Sequence, residues 1–179
     1  VAWAKLAVFL GALLPAAVLV WKTFYGDLGP DPVAHVVHET GAWTLRILLI
    51  TLAVTPIRKF SGWNVLIRFR RMLGLFAFFY ASLHFASYLF LDLGAFWSQL
   101  LTDIVKRPYI TVGFTAWLLL IPLAITSTNA MMRRLGKRWQ QLHRLSYLIA
   151  ALGVLHFIWL VKADLTEPMI YAAILVALL

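Results

Sequence analysis

Six stretches of this sequence carry no formal charge: 6–21, 47–57, 72–91, 108–132, 145–161 and 168–179. A helix that crosses a bilayer needs about 20 largely apolar residues. The second stretch reaches that length by extending back through Thr40 across Arg46, and the sixth stops with the chain after 12 residues. The chain is 63% apolar or aromatic and 13% charged, against about 45–50% and about 25% in soluble domains. A water-soluble globular domain is therefore excluded, and 15% aromatic residues exclude intrinsic disorder. The expected fold is all-α, a polytopic bundle of six transmembrane helices forming one domain over 1–179. The spans fall at about 4–24, 40–57, 72–92, 108–128, 142–162 and 168–179, the last incomplete. The first run lacks a small-residue cleavage site and further spans come after it, so it reads as a helix and not as a signal peptide.

The formal net charge is +9, which in a soluble protein would suggest nucleic acid. Position matters more than the sum here. Lys5, the link Arg58, Lys59, Arg68, Arg70, Arg71 and the link Arg133, Arg134, Lys137, Arg138, Arg144 all fall on one side, giving +11 without a single acid. The opposite links set Lys22, Lys106, Arg107 and Lys162 against Asp27, Asp31, Glu39, Asp92, Asp103, Asp164 and Glu167, giving −3. Arg46, inside the second span, completes the total. By the positive-inside rule the basic face is cytoplasmic and both termini lie there, so the charge is read by the bilayer and calls for no nucleic acid. Within the links, Asp31-Pro32 predicts a short helix over about 32–40. Residues 94–105 are mildly amphipathic and suit the outer interface. No repeat, second domain or Gly-rich phosphate loop is evident.

Cysteine is absent, which removes thiolate chemistry altogether and leaves any metal to His, Met, Tyr, carboxylate or backbone. Of five histidines, His84 and His156 lie deep within spans, where an ionisable side chain is costly and suggests function. His84 is 13 residues beyond Arg71, and His156 is 12 beyond Arg144. At the helical rise both sit about 18–20 Å from the basic boundary. Two imidazoles at one level suit the axial positions of a b-type haem iron. The plainer reading is a pair of neutral histidines bonded to neighbouring helices. Ala81, Ser82, Ala86 and Ser87 would leave room for a flat macrocycle.

His143 precedes His156 by 13 residues, whereas 13 before His84 stands Arg71. A second haem would lack its obvious ligand, and 13 residues leave a 220° rotation on an ideal helix of about 3.6 residues per turn. His143 is then an interfacial histidine, or part of a second haem or flavin-side site. The basic link residues are first topology determinants and headgroup contacts, although one or two suit a haem propionate or a flavin phosphate. Arg46 has three readings: it snorkels outward, pairs with Glu39, or meets a propionate. His35 and His38, at i and i+3, are exposed or share a metal.

The segment IRFRRMLGLFAFFYASLHFASY, 67–88, resembles the third-helix signature of the MsrQ (YedZ) family. TSTNAMMRRLGKRWQQLHRLSYL at 126–148, GDLGPDPVAHVVHETG at 26–41 and KRPYITVG at 106–113 also match, so the likeness covers nearly the whole chain. The resemblance implies a ferric reductase-like transmembrane fold in the bacterial inner membrane, with b-type haem and FMN. It implies electrons drawn from the membrane quinone pool and passed to a periplasmic molybdopterin reductase, MsrP, which repairs methionine sulfoxide in envelope proteins. His84, His143 and His156 fall on the family's haem histidines, and His38 on an outer-loop histidine of unassigned role. Two-haem NADPH oxidase relatives carry histidine at the position of Arg71, which puts a second haem in doubt.

The expected role is a one-electron relay, with substrate chemistry left to the partner subunit. The interval of about 18–20 Å from the haem level to the basic boundary is long for one unassisted transfer. Three ways to close it stand open: FMN near His143 with its phosphate on Arg71 or the 133–144 link, a second haem, or quinone entry at mid-depth. A cytoplasmic flavin reductase is another source of electrons. The competing classes are a stand-alone ferric or oxygen reductase and a non-redox transporter or scaffold. No nicotinamide-binding module supports the first, and no intramembrane acid or broken helix pair supports the second.

Overall fold

The Asp31 side chain accepts a hydrogen bond from the Ala34 N–H at 3.0 Å, and Pro32 occupies the first helical turn. Nothing downstream breaks the helix this cap starts. The expected short helix over 32–40 and the second span are one 30-residue helix, α2 (Pro32–Ser61). It closes at Gly62, whose φ of 72° lets its N–H cap the Arg58 carbonyl. His38, within the expected short helix and matching a family histidine assigned to an outer loop, lies on the second turn of α2. The computed structural model describes residues 2–26 and 28–179. Val1 and Asp27, the latter one of the outer acids, lie outside them.

The remaining helices are α1 (Ala2–Tyr25), α3 (Ile67–Ser87), α4 (Trp97–Lys106), α5 (Pro108–Ile125), α6 (Asn129–Leu135), α7 (Lys137–His143), α8 (Leu145–Leu160) and α9 (Thr166–Leu178). A π-helical turn, Tyr88–Asp92, extends α3. Five segments are long and apolar enough to cross a membrane: Ala2–Tyr25, Pro32–Ser61, Asn64–Asp92, Pro108–Ile125 and Lys137–Leu160. The sixth apolar helix, α9, has 13 residues. The third and fifth begin several residues earlier than the charge-free stretches, because Arg68, Arg70 and Lys137 continue the helix into the basic face. α4 is the amphipathic outer segment the sequence predicts. It buries Leu100 and Asp103 and leaves Trp97, Leu101 and Val105 exposed.

The bundle is built from two intimate helix pairs, α2 with α3 and α5 with α8, brought together through α3–α5 and α2–α8 contacts. Leu52, Tyr80 and Ile149 are at most 1% exposed, and Ala77 and Ala150 are fully buried at the centre. α1 packs outside on α2 and α3 and turns Leu14, Val18 and Trp21 outward, as a lipid-facing helix does. Its attachment is specific. Pro15 interrupts the ladder of α1, and the Tyr80 hydroxyl enters the gap, accepting from Ala16 N–H at 3.0 Å and donating to the Ala12 carbonyl at 2.8 Å.

Arg46 is placed differently from the expectation that paired it with Glu39. Its Nε donates to Tyr171 Oη at 2.8 Å, and Nη2 lies 3.4 Å from Glu167 Oε1, with the guanidinium 5.1 Å from the Trp43 ring centroid. It ties α9 to α2. The partner lies 121 residues along the chain, beyond what local spacing reveals.

Candidate functional site

Between the two helix pairs, in the half of the bundle toward the acid-bearing links, lies a cavity of about 420 Å³, within the usual range of about 300–1,000 Å³ for ligand pockets. His84 enters it from α3 and His156 from α8, their ring centroids 6.1 Å apart and their planes at 78°. His84 Nδ1 lies 2.8 Å from the Val37 carbonyl oxygen, and His156 Nδ1 lies 2.7 Å from that of Tyr109. A carbonyl can only accept, so each Nδ1 carries the proton and each Nε2 keeps a free lone pair. Neither Nε2 has a protein partner, yet no buried unpaired side-chain nitrogen occurs among the described residues. Both lone pairs therefore open onto the cavity.

Each ring sits against a glycine on the neighbouring helix. A Cβ on Gly41 would come within 3.0 Å of His84 Nδ1, and one on Gly113 within 2.6 Å of His156 Nδ1. The two halves share one register. Val37 and Tyr109, Gly41 and Gly113, His84 and His156 are pairs each separated by 72 residues. In both halves the histidine lies 47 residues after its carbonyl acceptor. α2 and α5 run the same way, as do α3 and α8, so the repeat turns about an axis along the bundle. In the sequence the repeat leaves only a trace, Leu-His-Phe at 83–85 and again at 155–157, because most other side chains around these positions differ.

The donor set suits a metal centre held from two sides: two imidazole Nε2 atoms without protein partners, on rings whose centroids lie 6.1 Å apart. Room for a flat group comes from Gly41, Gly113, Gly153, Ala81 and Ala116, and the Phe85–Trp117 stack, with centroids 4.6 Å apart, forms one wall. Of the four small residues singled out around His84, Ala81 alone lines the space. Ser82 accepts from Trp117 Nε1–H at 3.2 Å, and Ser87 donates to the His84 carbonyl at 2.9 Å. The glycines were the missed signal, a Gly in an apolar span 43 residues before each deep histidine.

The other candidates lie elsewhere. His143 stacks on Trp139 with centroids 3.9 Å apart, and its Nε2 is 3.1 Å from Thr126 Oγ1. Arg71 reaches Asn129 and the sulfur of Met132 on α6. Arg71 and His143 make no contact with each other, and neither lines the cavity. Arg70, one position earlier, donates to Thr55 Oγ1 at 3.0 Å. His38 lines the cavity's edge, against Phe157, while His35 faces a shallow recess with Asp31 and Glu39. Among the described residues no cluster of three or more His, Cys, Asp or Glu side chains is arranged for a metal ion.

Known proteins resemble this chain in sequence. Residues 40–154 match the family described as ferric reductase like transmembrane component. The chain is 60% identical over 182 residues to the protein-methionine-sulfoxide reductase heme-binding subunit MsrQ of Xanthomonas campestris pv. campestris (strain 8004), a match covering 98% of this chain and 84% of that relative. It is 59% identical to the protein of that name from Xanthomonas axonopodis pv. citri (strain 306), with the same coverage. The counterpart in Herminiimonas arsenicoxydans is 54% identical over 178 residues, covering 98% and 82% of the two chains. No solved structure matches it significantly. The chain belongs to the MsrQ family, built on the ferric reductase-like transmembrane fold.

Proposed function

We propose that this chain holds one b-type haem between His84 and His156 and relays single electrons across the bacterial inner membrane to a periplasmic molybdopterin methionine-sulfoxide reductase, MsrP. The observation that carries the reading is the pair of imidazoles, each pinned through Nδ1–H to a helix carbonyl, with centroids 6.1 Å apart across a cavity. His84 and His156 would hold the haem, which would supply reversible one-electron chemistry. The chain's own residues do the positioning. Val37 and Tyr109 set the tautomer and aim of the two rings, Gly41 and Gly113 let them lie flat on the neighbouring helices, and the aromatic wall keeps water away.

The +11 and −3 split supports a basic cytoplasmic face with both termini inside, which leaves the cavity nearer the periplasm. The acid-bearing links are then the surface offered to the partner. Electrons enter from the quinone pool or from a cytoplasmic flavin reductase. FMN, implied by the family, belongs on this reading to the basic side, where Arg71 and His143 lie about 20 Å of helix below the histidine level. Methionine-sulfoxide reduction itself occurs on the partner.

The test is spectroscopic. His84→Ala and His156→Ala in the purified full chain are each expected to abolish the six-coordinate low-spin haem spectrum, while His143→Ala retains it. Pyridine haemochrome should give one haem per chain. A low-spin spectrum that survives either of the first two substitutions overturns the assignment.

A further inference from the structure

The cavity changes polarity along its length. Its floor is Leu48, Leu120 and Ile149, whereas its mouth toward the acid-bearing links carries Tyr88, Asp92 and Arg107. Arg107 is the one lysine or arginine among the described residues that line it. Half of its side chain is exposed, at 51%, but it is held from behind. Arg107 Nε lies 3.7 Å from Asp103 Oδ1, one turn back on α4. Asp103 is 3% exposed and takes two hydrogen bonds, from Tyr88 O–H at 2.5 Å and from Gln99 Nε2–H at 2.9 Å. Tyr88 opens the π-helical turn that ends α3, and such turns recur at functional sites. A buried carboxylate with two hydrogen bonds and an ion pair forms a brace, and the guanidinium beside it, with Nη1 3.5 Å from Tyr109 Oη, lines the mouth.

Resting on the haem reading above, we propose that Arg107 binds a propionate carboxylate of the haem at this mouth, with Asp103 as the positioning residue behind it. A haem carries both carboxylates on one edge. That edge cannot face the leucine and isoleucine floor, because an unpaired carboxylate there would be desolvated without compensation. It must turn to the mouth, where Asp92 adds a further negative charge and Arg107 offsets it. The guanidinium fork matches a carboxylate in shape as well as in charge. A fixed positive charge beside the haem also favours the state that holds the extra electron.

The experiment uses the purified full chain as wild type, Arg107→Gln, Arg107→Lys and, as a control cation outside the cavity, Arg46→Gln. Two quantities are measured: the haem midpoint potential by anaerobic spectroelectrochemical titration, and the rate of haem transfer to apomyoglobin. Arg107→Gln is expected to shift the potential negative and to speed haem loss roughly tenfold, the effect of one lost charge-assisted contact at about 1.4 kcal/mol per factor of ten. Arg107→Lys should recover part of both, and Arg46→Gln neither. Reconstitution with haem dimethyl ester, whose carboxylates are blocked, should speed loss from wild type and add nothing to Arg107→Gln. An unchanged potential and transfer rate in Arg107→Gln overturns the proposal, and so does an equal effect of the substitution with the ester. A wild-type chain that purifies without haem would instead overturn the reading on which the proposal rests.

Discussion

Replacing Gly113 by alanine adds a single methyl group on α5 and should cost the protein its haem. The new Cβ would lie 2.6 Å from His156 Nδ1, 2.9 Å from Cε1 and 3.1 Å from Cγ. Carbon contacts become comfortable at about 3.5 Å, so the imidazole must retreat by roughly 1 Å. The 2.7 Å bond from Nδ1–H to the Tyr109 carbonyl then stretches past the limit of a hydrogen bond. A buried group left unpaired costs about 1–3 kcal/mol, and overpacking costs about 1–3 kcal/mol more. Loss of the group that orients a metal-ligating histidine lowers affinity by about 10–100-fold. Opposing these, alanine is a better helix former than glycine by about 1 kcal/mol. Steric crowding and helix propensity thus predict opposite signs. Haem per chain, the reduced-minus-oxidised spectrum and the thermal melt should be compared for wild type, Gly113→Ala and Gly41→Ala. Gly113→Ala is expected to lose most of the low-spin haem. Gly41→Ala should be milder, since its Cβ would stop 3.0 Å from the His84 ring. Full haem content, an unaltered spectrum and a raised melting temperature in Gly113→Ala would show that the ring does not depend on this close approach.

Tyr80→Phe removes the hydroxyl that bridges Ala12 and Ala16 beside Pro15. With two backbone groups left unpaired in an apolar setting, a loss of about 1–3 kcal/mol should lower the melting temperature by several degrees, read by circular dichroism. Tyr171→Phe should destabilise by about 1 kcal/mol through its 2.8 Å bond to Arg46. Glu167→Gln should cost less, because that ion pair is 35% and 44% exposed and half-exposed pairs contribute about 0–1 kcal/mol. The reverse ranking in thermal melts would count against the assigned geometry. Arg71→Ala should leave the low-spin spectrum intact, as expected of a side chain engaged with Asn129 and Met132 outside the cavity. A halving of haem content in that variant would instead point to a second haem on the basic side.

The histidine pair shows how far local regularity carries. Helical rise is fixed at about 1.5 Å per residue, so counting from Arg71 and Arg144 suffices to put His84 and His156 at one depth. The same count brings His143 and Arg71 to one level. Depth ignores rotation, however, and the structure turns His143 to Thr126 and Trp139 and Arg71 to Asn129. The small residues flanking His84 mislead in a related way. Neighbours along a helix point around it, whereas the room beside a ring comes from the helix it faces. Ala81 alone among them reaches the cavity, and Gly41 and Gly113 supply the close approach.

Residue order suffices wherever the physics is transfer between water and lipid. It yields the all-helical spans with their number and approximate limits, the contrast between basic and acid-bearing faces, and the depth of the two imidazoles. Those properties add up residue by residue along one helix, so they survive without knowledge of neighbours. Which helices pair is settled only by packing in three dimensions. That pairing selected the Val37 and Tyr109 carbonyls as acceptors, the glycines that seat the rings, Tyr171 and Glu167 as partners of Arg46 more than 120 residues away, and Arg107 as the cation at the cavity mouth. In a bilayer the apolar faces of all the helices are alike to the solvent. Close packing and the pairing of the few buried polar groups, both set by contacts far apart in the chain, choose among the arrangements.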